Sequence, residues 1–166
     1  MDYNRGKVEY CGKLWGKVLN FVDMFIGEYR YLIDEKKRIS IPVKFRKALG
    51  KRAILTRGLD GCLFLYPEQE WENLAQKLGS LPLGKADARG FMRIMLAGAM
   101  EVSFDNLGRI LIPDYLKKYA NLSKKTVIVG LYDHIEIWNE DRWEKYRSKA
   151  ESEVGDIAER LSDLGV

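Results

Sequence analysis

Residues 34–42 read DEKKRISIP, and residues 105–113 read DNLGRILIP. Five residues of this motif recur 71 positions later, among them the pairs Asp34/Asp105, Arg38/Arg109 and Pro42/Pro113. Three pairs further along the chain lie 72 positions apart, namely Gly58/Gly130, Tyr66/Trp138 and Trp71/Trp143. A motif that recurs together with its downstream turn and aromatic residues indicates a tandem duplication of a unit of about 45 residues. A unit of that size is too small to bury a good core alone.

Each copy has the same predicted order of elements. A strand leads into a tight turn at Asp-x-x-x-Arg, and a second strand follows in which apolar and polar residues alternate. A proline then starts a short helix, which we expect at residues 43–49 and 114–119. The hairpin strands are predicted at residues 53–56 and 62–66 in the first copy, and at 126–129 and 134–138 in the second. A helix is predicted after each hairpin.

The sequence therefore predicts a mainly β protein with helices, of the α+β class. Residues 1–23 belong to neither copy, and residues 28–75 and 101–144 are the two units. A helical connector is predicted at residues 76–100, with an apolar helix over 89–99. The tail, residues 145–166, continues a charged amphipathic helix that runs from Arg142 to Leu161 and is interrupted at Gly155.

Composition bounds the location and the chemistry of the chain. Of its 166 residues, 46% are hydrophobic, which is enough for a core. The sequence contains no run of 18 apolar residues, so we expect no membrane-spanning helix. Its two cysteines, Cys11 and Cys62, show neither metal-site nor redox-motif spacing, which favours reduced thiols in the cytoplasm.

Charge is distributed unevenly although the net charge is only +4. Residues 28–57 hold ten basic and three acidic residues, a net charge of +7. Residues 139–166 hold eight acidic and five basic residues, a net charge of −3. A basic lobe beside an acidic tail favours an anionic partner that contacts the first unit, although a solvated mixed surface is the alternative.

The Asp-x-x-x-Arg turn has two possible uses. Its aspartate can accept hydrogen bonds from turn amides, and Gly108 tolerates a positive φ. Its arginine can pair with that aspartate or point at an external anion. The first copy has Lys37 at the position of Gly108. This lysine lowers the stability of the turn if the position requires a positive φ, but it adds a positive charge. The three consecutive cations Lys36-Lys37-Arg38 are better suited to binding phosphate than to holding the turn by one ion pair.

The sequence gives little support for an enzymatic function. The one histidine, His134, lies in a predicted strand without a nucleophile beside it, so a structural role is favoured. Asp34 and Asp105 are unsuited to a symmetric carboxylate pair, because each precedes a turn without the small-residue loop that such a pair needs. Gly-rich phosphate loops and His/Cys metal clusters are absent from the sequence. We therefore expect no enzyme activity, no metal site and no cofactor.

Several motifs together resemble the MraZ family of bacterial transcription regulators. They are residues 24–27, 34–42, 61–71, 105–113 and 155–161, and the resemblance runs from Met24 to the C-terminus. It implies two SpoVT/AbrB-type units in a swapped-hairpin β-barrel, and rings of about eight or more subunits. It also implies binding to direct TGGG-type repeats upstream of the division and cell-wall gene cluster, usually as a repressor that includes its own gene among its targets.

The expected partners are thus double-stranded DNA and further copies of the chain, with no membrane and a nucleoid-associated location. The resemblance implicates Arg38 in DNA contact. We expect Lys36 and Lys37 to contact phosphate and Arg38 to read guanine in the major groove. The remaining basic candidates are Arg30, Lys44 and Arg109, while Asp34, Asp105 and Gly108 are expected to shape the turns. The alternative is an oligomeric scaffold whose basic loops bind an acidic protein.

Residues 1–23, here called the leader, suggest a hypothesis about the nucleotide sequence that encodes them. Met24 opens a clear strand pattern and is our candidate for the natural start. Trp15-Gly16 must be encoded as TGG-GGN, and Cys11-Gly12 can be encoded as TGT-GGG, which places two TGGG boxes 10 nucleotides apart. Since this is one turn of B-DNA, residues 1–23 could be translated operator sequence, with coincidence as the alternative.

Overall fold

The computed structural model describes residues 24–164 and shows an α+β fold. The predictions about residues 1–23, including the start at Met24 and the boxes at Cys11 and Trp15, concern a leader outside the described residues. The strands are β1 (Phe25–Leu32), β2 (Arg38–Ser40), β3 (Arg52–Arg57), β4 (Leu63–Pro67), β5 (Met100–Ser103), β6 (Arg109–Leu111), β7 (Lys125–Tyr132) and β8 (His134–Asn139). The helices are α1 (Val43–Leu49), α2 (Glu68–Gly79), α3 (Ala86–Ala97), α4 (Asp114–Tyr119), α5 (Glu140–Ser152) and α6 (Val154–Leu161), followed by a 3-10 turn at Ser162–Leu164.

The strands of the two units are interleaved. Six strands form an antiparallel sheet in the order β1-β7-β8-β4-β3-β5, and β2 pairs with β6 in a second, two-stranded sheet. The first strand of each unit pairs with the hairpin of the other unit, since β1 lies beside β7 and β5 beside β3. The predicted class, α+β from two tandem units with an AbrB-like fold, is confirmed. Because each unit completes the sheet of the other, neither copy has a whole sheet of its own.

A pseudo-twofold axis relates the two units. At the centre of the β2–β6 pair, Ile39 lies opposite Ile110, its equivalent 71 residues later. At the centre of the β4–β8 pair, Phe64 lies opposite Glu136, its equivalent 72 residues later. The motif that repeats in the sequence therefore meets its own copy on this axis.

The core forms two clusters. The larger one contains the fully buried residues of both motifs, Ile39, Ile41, Ile110 and Ile112. The second contains the aromatic hairpin residues Phe64, Tyr66 and Trp138 with Met95 of α3, and Trp71 and Trp143 pack against it. Both repeated tryptophans thus face the core.

Two details of the predicted organisation are wrong. The helix from Arg142 to Leu161 was predicted to be interrupted at Gly155, but the break lies at Glu153 (φ −108°, ψ 4°). Gly155 lies inside α6, so the glycine does not cause the break. Gly130 is not a turn residue like Gly58, because it lies within β7 opposite Gly27. Within the described residues, no helix has both the length and the apolar character needed to cross a membrane.

Candidate nucleic-acid interface

The two Asp-x-x-x-Arg turns have the same internal hydrogen bonds. Asp34 Oδ1 accepts the backbone N–H of Arg38 at 2.9 Å, and Oδ2 accepts the Nε–H of Arg38 at 2.8 Å. Asp105 accepts the corresponding groups of Arg109 at 2.9 and 2.8 Å. The predicted acceptor role of each aspartate is therefore present in both copies, and it fixes the arginine at the start of the outgoing strand.

The two turns meet in a square of four charges across the pseudo-twofold axis. Arg38 Nη1 lies 3.9 Å from Asp105 Oδ2, and Arg109 Nη1 lies 3.6 Å from Asp34 Oδ2. These side chains are 23–33% exposed, so solvent reaches the square. Hydrogen bonds from the amide and the guanidinium of Arg38 lower the pKa of Asp34. The hydrogen bond from the Arg109 side chain is the largest cause that lowers the pKa of Asp105, to about 2.

The arginines therefore pair with aspartates in this structure, which is the first of the two uses that the sequence allowed. A base contact by Arg38 requires it to exchange Asp34 for guanine. Because the square is partly exposed, water already weakens its ion pairs, and breaking them costs little free energy.

Each turn has a residue in the left-handed region, with φ 61° at Lys37 and φ 72° at Gly108. The carbonyl of Lys37 accepts the N–H of Ile112 at 2.9 Å, and that of Gly108 accepts the N–H of Ile41 at 3.1 Å. Each turn is thus hydrogen-bonded to the strand end of the other unit. Lys37 adopts the glycine conformation because the surrounding hydrogen bonds require it.

The side chains above the two turns differ. In the second turn the guanidinium of Arg46 covers Gly108, where a Cβ would collide with it, and Arg46 Nε–H donates to the carbonyl of Ile41 at 2.8 Å. In the first turn Lys37 points away from the backbone, and its Nζ lies 2.6 Å from Asp114 Oδ1. The first turn therefore displays a lysine of its own, whereas the guanidinium of Arg46 covers the second turn.

Lysines of the second unit join the first turn, and sequence reasoning missed them. Lys117 and Lys124 line a groove of about 600 Å³ together with Asp34 and Glu35. The carbonyl of Lys124 also accepts the N–H of Ile33 at 2.9 Å, which fixes this loop beside the turn. A charge count over residues 114–125 gives four lysines against one aspartate, a net charge of +3 that was available in the sequence. Four lysines thus lie in or beside the first turn: Lys37 and the exposed Lys36 belong to it, and Lys117 and Lys124 line the groove beside its Asp34 and Glu35.

Arg30 and Lys44 have other partners in the described structure. Arg30 lies 2.6–3.5 Å from Glu144, Glu28 and Glu140, and its hydrogen bond to Glu144 raises its pKa. The Nζ of Lys44 lies 4.8 Å from the centre of the Tyr29 ring, a cation–π contact. Arg30 lies among three glutamates and outside the first turn, so we leave it out of the proposed DNA site.

A buried polar cluster also lay outside the sequence predictions. Glu136 Oε2 accepts the Nε1–H of Trp138 at 2.7 Å, and burial raises the pKa of Glu136. The His134 ring stacks on Tyr66 with a centroid distance of 4.8 Å. Cys62 is a buried free thiol whose pKa is raised by burial, so it is unreactive. Over the described residues, His, Cys, Asp and Glu form no group of three or more suited to a metal ion.

Comparison with known proteins gives consistent matches over the described part of the chain. The family model described as "MraZ protein, putative antitoxin-like" matches twice, at residues 24–94 and 95–164. The "Transcriptional regulator MraZ" of Pelotomaculum thermopropionicum is 51% identical over 143 residues, which cover 86% of this chain and 99% of that protein. Proteins of the same name from Clostridium tetani and Moorella thermoacetica are 50% and 46% identical, over 86% of this chain and 100% of each relative.

Proposed function

Because the chain belongs to the MraZ family, we propose that it is a transcriptional regulator that binds double-stranded DNA. The relatives that cover most of the chain are named as transcriptional regulators rather than enzymes. At the finer level, the proposed target is a set of direct TGGG-type repeats upstream of the division and cell-wall gene cluster, including the regulator's own gene, with repression as the outcome. The proposed location is the cytoplasm, in association with the nucleoid.

The observation that carries the proposal is the convergence of basic side chains at the first turn. Lys36 and Lys37 come from the first unit, while Lys117 and Lys124 come from the second. Ammonium groups placed along one surface suit the regularly spaced phosphates of a duplex, which supply most non-specific affinity. Arg38 lies in the same turn and is the candidate reader of bases.

The proposed roles follow from energetic differences. A partly exposed aspartate–arginine pair contributes little in water, whereas a good bidentate contact of arginine with guanine is worth about 1–3 kcal/mol. Exchange of Asp34 for guanine is therefore favourable once phosphate contacts have positioned the turn. Arg109 is held in the same square by Asp105 but lacks the lysine-rich turn, so we assign it a structural role.

We also propose that copies of the chain assemble into a ring of about eight or more subunits. One subunit then contacts one box, and its neighbours contact successive boxes. Linked sites gain effective concentration without any new kind of contact, so weak single contacts suffice. The spacing of the boxes has to match the spacing of the subunits.

The test is DNA binding measured by fluorescence anisotropy at one fixed salt concentration. The probes are a labelled duplex of the gene's own upstream region with its repeats, and the same duplex with the boxes scrambled. Arg38→Ala should lose about 1–3 kcal/mol of binding free energy and relax the base preference, while Lys36→Ala should weaken binding to both duplexes alike.

Arg109→Ala is the matched control, because it removes the same residue type from the same charge square. It should keep the preference for intact boxes. If Arg38→Ala binds the intact duplex as tightly as the parent chain does, Arg38 does not read the boxes. If the parent chain prefers neither duplex, the alternative of a scaffold for an acidic protein gains support.

A further inference from the structure

We propose that Asp114 competes with DNA phosphate for Lys37 and thereby sets the affinity of the first turn for its target. This inference rests on the proposed function and adds a residue from the other unit that opposes binding. Asp114 is the first residue of α4. Its Oδ1 and Oδ2 atoms lie 2.6 and 2.7 Å from Lys37 Nζ, so both oxygens contact the same ammonium group.

The pair is not required for the turn to form. The backbone of the first turn is fixed by Asp34 and by the hydrogen bond from Ile112 to the Lys37 carbonyl. The second turn has the same backbone shape but holds Gly108 at the position of Lys37. Val43 stands at the position of Asp114, 71 residues earlier, so the second copy forms this turn with no equivalent ion pair.

Capping of α4 does not account for Asp114 either. The N–H groups of Leu116 and Lys117 in the first turn of α4 donate to the carbonyl of Pro113, at 3.1 and 2.9 Å, rather than to Asp114. No side-chain hydrogen bond caps the helix at Pro113. The Asp114 side chain is 75% exposed, so its carboxylate contributes little packing. Its described contact is with the cation that we assign to DNA.

Competition follows from the chemistry of the ammonium group. Lysine binds phosphate as a point charge, and a carboxylate that contacts Nζ with both oxygens neutralises that charge and takes up to two of its three N–H donors. When DNA approaches, Lys37 has to leave Asp114, which then faces a polyanion without its partner. Both steps weaken binding, so removal of the Asp114 charge should strengthen it.

The expected change is measurable. Asp114→Asn should bind the duplex with intact boxes about two- to fivefold more tightly for each box engaged, the range expected for loss of an exposed ion pair. The slope of log affinity against log salt should become steeper by up to about 0.9. The reason is that Asp114 in the parent chain takes up a cation from solution when it loses Lys37, which offsets one released counterion.

A double-mutant cycle with Lys37→Gln separates competition from simple repulsion. If Asp114 acts by holding Lys37, the gain from Asp114→Asn should shrink by at least half when Lys37 is absent. An equal gain in both backgrounds would show that Asp114 only repels DNA, and the proposal would be wrong. Asp114→Ser serves as a second variant, and thermal unfolding of each protein checks that the fold is kept.

Asp141→Asn is the control for a general change of net charge. Asp141 is exposed and is the second residue of α5, so it matches Asp114 in charge and, like Asp114, lies in the first turn of a helix. Asp114→Asn has to bind the intact duplex more tightly than Asp141→Asn does. Equal affinities of the two variants would overturn the proposed competition of Asp114 with phosphate, but they would not contradict the proposed function. If the parent chain shows no preference for the intact duplex, the proposed function fails first, and the competition fails with it.

Discussion

Replacement of Ile39 by alanine tests whether the two units form one cooperative structure. Ile39 lies at the centre of β2, opposite Ile110 of the other unit, and it has no exposed surface. Both residues belong to the larger core cluster, which draws on both units. We expect Ile39→Ala to destabilise the second unit as much as the first, and Ile110→Ala to have the same effect in reverse.

The magnitude follows from the atoms removed. Ile39→Ala deletes three buried methyl or methylene groups, which amounts to about 2.4 kcal/mol at roughly 0.8 kcal/mol per group. The cavity that remains adds a further cost, and buried Ile→Ala changes fall between about 2 and 5 kcal/mol. We therefore expect a loss of about 3–4 kcal/mol. For a protein of this size, that lowers the midpoint of thermal unfolding by about 6–16 °C.

The assay is urea unfolding at one fixed protein concentration, because assembly links stability to concentration. Far-UV circular dichroism follows the whole fold. The chain has four tryptophans, so tryptophan fluorescence in a Trp15→Phe, Trp71→Phe background follows Trp138 and Trp143, which belong to the second unit. Ile39→Ala should shift both signals to the same lower midpoint.

Separate transitions would refute this reasoning. If the fluorescence midpoint of the second unit stays in place while circular dichroism shows an earlier transition, the units unfold independently. The strand exchange between them would then contribute little to stability.

Two further predictions concern the glycine in β7 and the charge square. A Cβ at Gly130 would lie 2.6 Å from the backbone nitrogen of Ile26, so Gly130→Ala should cost about 1–3 kcal/mol in urea unfolding. Gly155→Ala has open space in α6 and should instead stabilise by up to about 1 kcal/mol, so equal effects would contradict the prediction. The pKa of Asp105 falls from 3.8 to about 2 in the folded state, so its contribution to stability is present above about pH 4 and is lost as the pH falls towards 2. Thermal unfolding of Asp105→Asn should show a flatter pH dependence across that window than the parent chain, and parallel curves would exclude this cause.

Local sequence signals were enough for the short helices. The predicted limits 43–49 and 114–119 coincide with α1 and α4, because a proline precedes each helix and fixes its start. Gly108 was expected to tolerate a positive φ, and the structure has a positive φ both there and at Lys37. The helix limits and the turn conformation depend on a few neighbouring residues, so they can be predicted from the sequence without knowledge of the tertiary structure.

Pairings between the units could not be predicted in this way. The hydrogen bond from Ile41 to Gly108 and the contact of Lys37 with Asp114 join residues more than 60 positions apart. No local pattern encodes either contact. For the same reason a charge count confined to residues 28–57 and 139–166 missed Lys117 and Lys124, which strand exchange brings beside the first turn.

The structure explains why only the first turn has a lysine at the left-handed position. The backbone position of Lys37 and Gly108 is the same, and its left-handed conformation favours glycine in both copies. At Gly108 the Arg46 guanidinium fills the space that a side chain needs, and it is held there by the carbonyl of Ile41. A lysine at position 108 would have to displace Arg46 as well as adopt a positive φ. At position 37 the side chain extends to Asp114 instead, so only the backbone cost applies. Because Arg46 of the first unit packs on the second turn, glycine can be replaced by lysine only in the first turn. Under the proposed function, each subunit therefore has one DNA-facing turn.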